Sequence, residues 1–145
     1  MLGLFSNDDK HPLADSREAK RIIAAITAGE ALGALEDAGA WLESLTAEGG
    51  FKLAQRLDLV LRIDEAAMAQ ARRLGRDYPA QHGATRALEA RQWEDAHNYW
   101  QHLVAAYLDC LARHDAAEKK DADTIRSQMP LLWGRLVNAL AAQLK

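Results

Sequence analysis

The amino-acid sequence predicts an all-α protein, an antiparallel bundle of four to five helices. Apolar residues recur at three- and four-residue intervals, no segment alternates as a strand would, and proline or glycine separates the periodic stretches. The chain has 145 residues, 49% hydrophobic and 27% charged, which is enough to bury a core of its own. We therefore expect an extended lead-in over residues 1–14 and one helical-bundle domain over residues 15–145.

The first two predicted helices have recognisable boundary signals. Asp15 precedes Glu18 by three residues, as in a capping box, and predicts the start of the first helix. Gly29 ends this helix or lies in a short connection. The second helix is predicted from about Glu30 to Ala47, because the Gly49-Gly50 pair favours the left-handed conformation found after helix ends.

The third and fourth predicted helices are the longest. The third should run from about Leu53 to Tyr78, with Pro79 marking a break and Arg56 outside its apolar face. The fourth should run from about Ala84 to His114. Its half between Tyr99 and Leu111 is apolar almost all round, so we expect the most buried element there. A seven-residue, coiled-coil-like spacing on this helix links Trp93, Trp100 and Tyr107, and also Ala96, Leu103 and Cys110.

The fifth predicted helix extends almost to the last residue. Asp121 or Asp123 can cap it, and Pro130 either kinks it or begins a new helix at its first turn. Its apolar stripe continues without a stop signal through Leu136, Leu140 and Leu144. A frayed terminus and the N-terminal domain of a longer chain would both have this appearance.

Composition excludes several classes of protein. The net charge is −3, so nucleic acid is not an expected partner. Cys110 is the single cysteine, which excludes an internal disulfide, and its apolar surroundings predict a buried structural thiol. The sequence shows no signal peptide and no run of about 18 apolar residues, so we expect a cytoplasmic protein without a membrane partner.

No catalytic motif is present, so we expect neither an enzyme nor a bound cofactor. The Glu94-x-x-His97 spacing fits half of a carboxylate-bridged di-iron site. No second Glu-x-x-His occurs, and we therefore predict no metal site.

The main local charge feature is a group of arginines near the Pro79–Gly83 turn. If the third and fourth helices are antiparallel, these residues gather at one end of the bundle. They could bind a phosphate or carboxylate group, or they could form a solvated helix end. The residues are Arg72, Arg73, Arg76, Arg86 and Arg91.

Two functions follow from these patterns. The first is a non-enzymatic interaction or regulatory module that contacts a protein partner, the remainder of its own chain or a second copy. Its interface would lie along Leu136, Leu140 and Leu144, and burial of these side chains within one protomer would contradict it. The alternative is a small-ligand or nucleotide-sensing bundle that uses the five arginines.

Most of the chain resembles an uncharacterised family of bacterial all-helical proteins. The resemblance implies that this region lies at the N-terminus of longer proteins, has no established activity and is linked to bacterial signalling. The segments that carry it are packing and capping motifs: His11-Pro12-Leu13-Ala14-Asp15, Glu18-Ala19, Ala40–Leu45, Arg56-Leu57, Leu61–Ala67, Tyr99-Trp100, Ala105–Cys110 and Ala139–Lys145.

Overall fold

The structure, a computed structural model, describes residues 12–82 and 86–144, and describes the backbone alone for residues 72–82, 86–93 and 143–144. Over these ranges the chain is helical and contains no strand, which confirms the predicted all-α bundle. Five helices are long and a sixth has 8 residues. The elements are a 3-10 turn (Leu13–Asp15), α1 (Arg17–Thr27), α2 (Ala31–Glu48), α3 (Leu53–His82), α4 (Arg86–Ala116), α5 (Lys119–Arg126) and α6 (Met129–Leu144).

The start of α1 differs from the prediction by one residue. Asp15 belongs to the 3-10 turn, and Ser16 caps the helix by accepting the Ala19 amide hydrogen bond at 3.2 Å. Ser16 has an extended backbone, so its hydroxyl can reach the free amides of the first turn. Leu13 is only 1% exposed, so the buried core begins within the predicted lead-in.

Glycine ends the first two helices as their sequence positions suggest. Gly29, with φ of 99°, lies in the connection between α1 and α2. Gly49, with φ of 70°, is the left-handed residue that ends α2, and its amide bonds to the Leu45 carbonyl. Both positions have positive φ, which explains why glycine occupies them.

Two predicted boundaries were wrong and one ambiguity is resolved. Helix α3 continues past Pro79 to His82, because a kink can accommodate both the lost amide hydrogen bond and the clash of the proline ring with the preceding turn. Glu118 precedes α5, whereas Asp121 lies in the first turn and Asp123 pairs with Arg126. Pro130 lies in the first turn of α6 and so begins a new helix.

The five long helices form a closed ring. Going round it, α3 contacts α4, α4 contacts α6, α6 contacts α2, α2 contacts α1 and α1 returns to α3. The short α5 packs mainly on α4 and also contacts α2, the two helices on either side of α6 in the ring. Because five is an odd number, neighbours cannot alternate in direction all the way round, and at least one adjacent pair must be parallel.

That parallel pair is α1 and α3, and two glutamines of α3 bind its ends. Gln55 accepts a hydrogen bond from the Leu13 amide at 2.9 Å, just before α1. Gln70 donates to the carbonyls of Ile26 (2.8 Å) and Thr27 (2.9 Å) at the end of α1. Gln70 therefore satisfies helix-end carbonyls that would otherwise lack partners.

Helices α2 and α6 approach closely at Gly39. The Trp133 indole nitrogen donates to the Leu35 carbonyl at 2.6 Å, and the ring lies directly over Gly39. A Cβ atom at Gly39 would lie 2.2 Å from Trp133 Cδ1, so only glycine permits this contact. Trp133 also packs edge-to-face on Tyr107 of α4, with centroids 4.8 Å apart.

Helix α4 has one buried face and one exposed face. Its buried residues include Trp100, Leu103, Tyr107 and Cys110, in agreement with the seven-residue spacing. Tyr99 is 54% exposed, although the sequence from Tyr99 to Leu111 is apolar almost all round. Each helix of the ring has one face toward the core and another toward solvent, so part of α4 is exposed whatever its composition.

Candidate functional site

The arginine-bearing helices α3 and α4 are antiparallel neighbours. Arg56 pairs with Asp115, and further along the Trp100 indole nitrogen donates to Asp64 at 2.5 Å. As the residue number rises along α3, the number of the contacting residue on α4 falls, so the two helices are antiparallel. Continued to the other end, where α3 ends at His82 and α4 begins at Arg86, this register brings residue 91 of α4 level with about residue 77 of α3.

Both helices extend past the end of α1. Gln70 binds the last carbonyls of α1, whereas α3 continues to His82, about 18 Å further at 1.5 Å per residue. The five arginines of the predicted ligand site lie on these extended segments. Their side chains lie outside the described residues, so the site itself stays a prediction. The residues are Arg72, Arg73, Arg76, Arg86 and Arg91.

The opposite end of the α3–α4 pair contains a polar cluster in which Arg56 and Thr46 are buried and Asp115 reaches solvent, which we call the Arg56 cluster (Thr46, Arg56, His114 and Asp115). Arg56 is 2% exposed, although the sequence placed it outside the apolar face. Its guanidinium donates to Thr46 Oγ1 of α2 at 3.1 Å and to Asp115 Oδ2 of α4. One side chain thereby joins three helices.

Asp115 is held by two neighbours. His114 Nδ1 lies 2.9 Å from Asp115 Oδ1, and Arg56 binds the other carboxylate oxygen. Partial burial acts to raise the pKa of Asp115, but the hydrogen bonds from His114 and Arg56 outweigh it and hold that pKa below its usual value. Asp115 therefore stays ionised at neutral pH and balances the buried guanidinium.

Two buried polar atoms near this cluster have no hydrogen-bond partner among the described residues. They are Arg56 Nε and the Tyr107 hydroxyl. Burial, with smaller electrostatic contributions from Cys110 and Glu43, raises the pKa of Tyr107 far above its usual range, so the hydroxyl stays protonated. Such unpaired groups are rare in protein interiors and mark a position where stability is not maximal.

The predicted partner interface at the C-terminal helix was wrong for two of its three residues. Leu136 and Leu140 are 1% and 0% exposed because they pack in the common core of the ring. These side chains are not available to a partner in this arrangement. The side chain of Leu144 lies outside the described residues.

The structure also shows where the remaining candidate residues, Cys110, Glu94 and His97, lie. Cys110 is buried, as predicted, its thiol lies 3.6 Å from the Ile125 carbonyl, and burial raises its pKa. Glu94 is exposed and His97 half-buried on α4. Within the described ranges, no three His, Cys, Asp or Glu side chains come together as a metal site would require. In that same part of the chain, no helix is long and apolar enough to cross a membrane.

Sequence reasoning missed the polar contacts between helices. Gln55, Gln70 and Arg56 all face neighbouring helices, although their types suggest exposure. One signal could have found Arg56: the buried positions of α3 recur at three- and four-residue spacing, and one step back from them leads to residue 56. These buried positions are Val60, Ile63, Ala67 and Ala71.

The ring of helices defines the class of this protein as an all-helical domain, and comparison with known families makes that class specific. A family model described as the N-terminal domain of the cyclic-di-GMP receptor FimW matches residues 17–145. The match covers most of the chain, so this protein belongs to that family. No curated protein and no solved structure matches the chain.

Family membership confirms one implication of the sequence resemblance and corrects another. The family consists of N-terminal domains, as the resemblance implied. The implied lack of an established activity was wrong, because the family is named for a receptor of a cyclic dinucleotide.

Proposed function

We propose that this domain is a non-enzymatic, nucleotide-sensing regulatory module, and that its nucleotide is cyclic-di-GMP. The observation that carries the proposal is family membership: the family is that of the N-terminal domain of a cyclic-di-GMP receptor. This favours the nucleotide-sensing alternative over the module with an unnamed partner, whose predicted interface is largely buried.

The chemistry of the ligand suits the arginine positions on the extended parts of α3 and α4. Cyclic-di-GMP has two phosphates and two guanine bases. A guanidinium binds phosphate through two parallel hydrogen bonds and can do the same with guanine O6 and N7. The antiparallel backbones supply Arg72, Arg73 and Arg76 from one helix and Arg86 and Arg91 from the other, so the two groups can bind the two halves of the ligand.

Calorimetric titration of the domain with cyclic-di-GMP tests the proposal. The parent should bind, and Arg73→Ala combined with Arg76→Ala should weaken binding by about 100-fold, since a charge-assisted hydrogen bond contributes roughly 1.5–3 kcal/mol. Binding should also weaken as salt is raised, because exposed charges are screened.

A matched control uses two exposed arginines elsewhere on the same helices. Arg62→Ala combined with Arg113→Ala removes the same charge from the described parts of α3 and α4. This variant should bind as the parent does. Failure of the parent to bind cyclic-di-GMP, or equal weakening in both variants, would contradict direct nucleotide binding by the arginine positions.

A second candidate function is an interaction module, whose surface would include large apolar side chains that are exposed among the described residues. Leu131 is 69% exposed, Tyr99 54% and Leu61 48%. The partner that can be tested at once is a second copy of the chain. Sedimentation velocity should show a dimer at micromolar concentration that Leu131→Gln and Leu61→Gln weaken, and a monomer at all concentrations would contradict self-association.

A further inference from the structure

Helix α5 is held to the rest of the bundle by very few buried contacts. None of its 8 residues is buried, and three of them, Ala122, Ile125 and Arg126, are half-buried. Each of the five long helices, by contrast, buries several side chains in the common core. Helices shorter than about 12–15 residues are marginal in water, so α5 depends on the packing that its three half-buried side chains supply.

The first turn of α5 also lacks the usual stabilising features of a helix start. Glu118 precedes the helix with the extended backbone of a capping residue, but its side chain makes no capping hydrogen bond. Lys119 and Lys120 then place two positive charges next to the positive end of the helix dipole. Asp121 in the first turn and Arg126 in the last turn offset this only in part. The local sequence therefore contributes little to the helicity of α5.

The helices on either side of α5 are held by contacts of their own. Leu111 of α4 and Met129 of α6 are buried in the common core, and Tyr107 packs on Trp133. If α5 unfolds, residues 117–128 become a loop between two helices that keep their positions. Unfolding of α5 therefore breaks few contacts, and its free energy should lie well below that of the whole domain.

The thiol of Cys110 lies under α5. Cys110 is 0% exposed, and its sulfur lies 3.6 Å from the Ile125 carbonyl oxygen of α5. Burial raises the pKa of this thiol more than the positive charge of Arg113 lowers it. While α5 is in place, the thiol is thus protonated and shielded from solvent, so it reacts slowly with electrophiles.

We propose that α5 is a lid that unfolds locally while the five-helix ring stays folded, and that its opening gives solvent access to the Cys110 thiol. The lid is a conformational device of the domain itself. It is independent of the proposed nucleotide site, because it involves no residue of the extended parts of α3 and α4. Any change that stabilises α5 should shield the thiol, and any change that weakens α5 should expose it.

The test measures how fast Cys110 reacts with a water-soluble aromatic disulfide in increasing urea. The thiolate attacks the reagent, one mixed disulfide forms, one aromatic thiolate leaves, and the thiol proton passes to the buffer. Because the open form alone reacts, the rate relative to that of a free thiol gives the open fraction. In water this fraction should exceed the globally unfolded fraction by about 100-fold or more, since global stability is roughly 5–15 kcal/mol.

The urea dependence distinguishes local from global opening. Local opening exposes little surface, so the rate should rise only weakly in dilute urea and steeply once global unfolding dominates. Global unfolding is measured separately by circular dichroism. An open fraction equal to the globally unfolded fraction, with the same urea dependence, overturns the proposal. A rate equal to that of a free thiol overturns it as well, because the thiol would then not be covered.

Two substitutions at α5 should change the rate in opposite directions. Ile125→Ala shortens an apolar side chain that attaches the lid and should speed labelling about tenfold. Glu118→Ser supplies a capping hydroxyl at a position that already has the required backbone conformation, and should slow labelling about fivefold. If neither substitution changes the rate, α5 does not control access to the thiol and the proposal is wrong.

The matched controls lie on α3, away from the lid. Leu57→Ala shortens another half-buried apolar side chain, and Glu65→Ser replaces an exposed glutamate within a helix rather than at its start. Leu57→Ala should lower the free energy of global unfolding and leave labelling in water unchanged, and Glu65→Ser should also leave it unchanged. If Leu57→Ala speeds labelling as much as Ile125→Ala does, the thiol is reached through global unfolding and the proposal fails.

Amide hydrogen exchange gives a second readout that needs no reagent at the thiol. Amides in the last turn of α5 should exchange faster than those around Leu111 in α4, and Glu118→Ser should slow exchange in α5 alone. Equal protection of the two segments would show that α5 and the ring open together, which also overturns the proposal.

Discussion

The two ends of the α3–α4 pair differ in how they use arginine. At one end, Arg56 is buried and bound by α2 and α4. At the other end, both helices extend past α1 and carry five arginine positions. The sequence drew attention to the second group because its members cluster along the chain, and it assigned Arg56 to the surface.

This difference separates two roles of the same residue type. An arginine that joins helices needs partners from distant parts of the chain, such as Asp115, which lies 59 positions from Arg56. An arginine that binds a ligand needs access to solvent and a ligand of complementary charge. The first role should appear in measurements of folding stability, and the second in measurements of binding.

The largest expected effect on stability is at the end of the α3–α4 pair that contains the buried Arg56. Asp115→Ala removes the counter-charge of Arg56 and should lower the free energy of unfolding by about 3 kcal/mol, because an unpaired buried charge is costly. Urea denaturation followed by circular dichroism measures this. Asp109→Ala, which removes an exposed pair on the same helix, should change stability by less than about 0.5 kcal/mol. Equal effects of the two variants would show that Arg56 is not constrained by burial.

In the middle of the bundle, stability should depend on side-chain volume rather than on charge. Gly39→Ala places a Cβ atom 2.2 Å from Trp133 Cδ1, so the α2–α6 contact must open and stability should fall by about 1–3 kcal/mol. Gly33→Ala is the matched control on the same helix, because nothing lies within 4 Å of its added Cβ. That variant should gain roughly 0.5–1 kcal/mol from helix propensity. Thermal unfolding of both measures the contrast, and a loss in Gly33→Ala would contradict it.

The unpaired hydroxyl near the buried end predicts a stabilising substitution. Tyr107→Phe removes a hydroxyl that has no partner among the described residues and should raise the free energy of unfolding by about 1 kcal/mol. At this chain length the melting temperature should rise by roughly 3 °C. Tyr99→Phe, at a position 54% exposed, should leave it unchanged. A clear fall in Tyr107→Phe would mean that the hydroxyl has a bonding partner in solution.

The charge state of Asp115 predicts how the buried end responds to acid. Its pKa in the folded state lies below the value of about 3.9 in an unfolded chain. The carboxylate therefore stabilises the fold above about pH 4, and this contribution is lost as the pH falls through the folded-state pKa. The difference between the unfolding free energies of the parent and Asp115→Asn, measured at pH 6, should begin to change near pH 4 and level off only below the folded-state pKa. A difference that stays constant down to pH 2 would contradict this assignment.

The smallest expected effect on stability is at the extended end. If these arginines serve a ligand rather than the fold, Arg73→Ala combined with Arg76→Ala should change the free energy of unfolding by less than about 0.5 kcal/mol, the usual range for surface substitutions. The same samples serve the nucleotide titration. A decrease in the free energy of unfolding above about 1 kcal/mol would show that these arginines stabilise the fold. It would contradict the difference proposed between the two ends.

The helical class and most element starts could be predicted because they depend on local signals. The Gly49 helix end and the start of α3 at Leu53 follow from residues close in sequence, and both were confirmed. The capping residue of α1 was off by one because Asp15 and Ser16 are both good caps, and local backbone geometry selects between them. The predicted interface at Leu136 and Leu140 was wrong because an apolar stripe has the same sequence pattern whether it packs on a partner or on the protein's own core.

By itself, the sequence determined the helices, their apolar faces and the clustering of arginines near the Pro79–Gly83 turn. These depend on spacings of three and four residues and on proline and glycine, which act within a few residues along the chain. Only the tertiary structure decided the order of the ring, its parallel α1–α3 pair and the burial of Arg56. Each of these requires partners far apart in sequence, such as Gln70 with Ile26 or Arg56 with Asp115, and no local pattern specifies them.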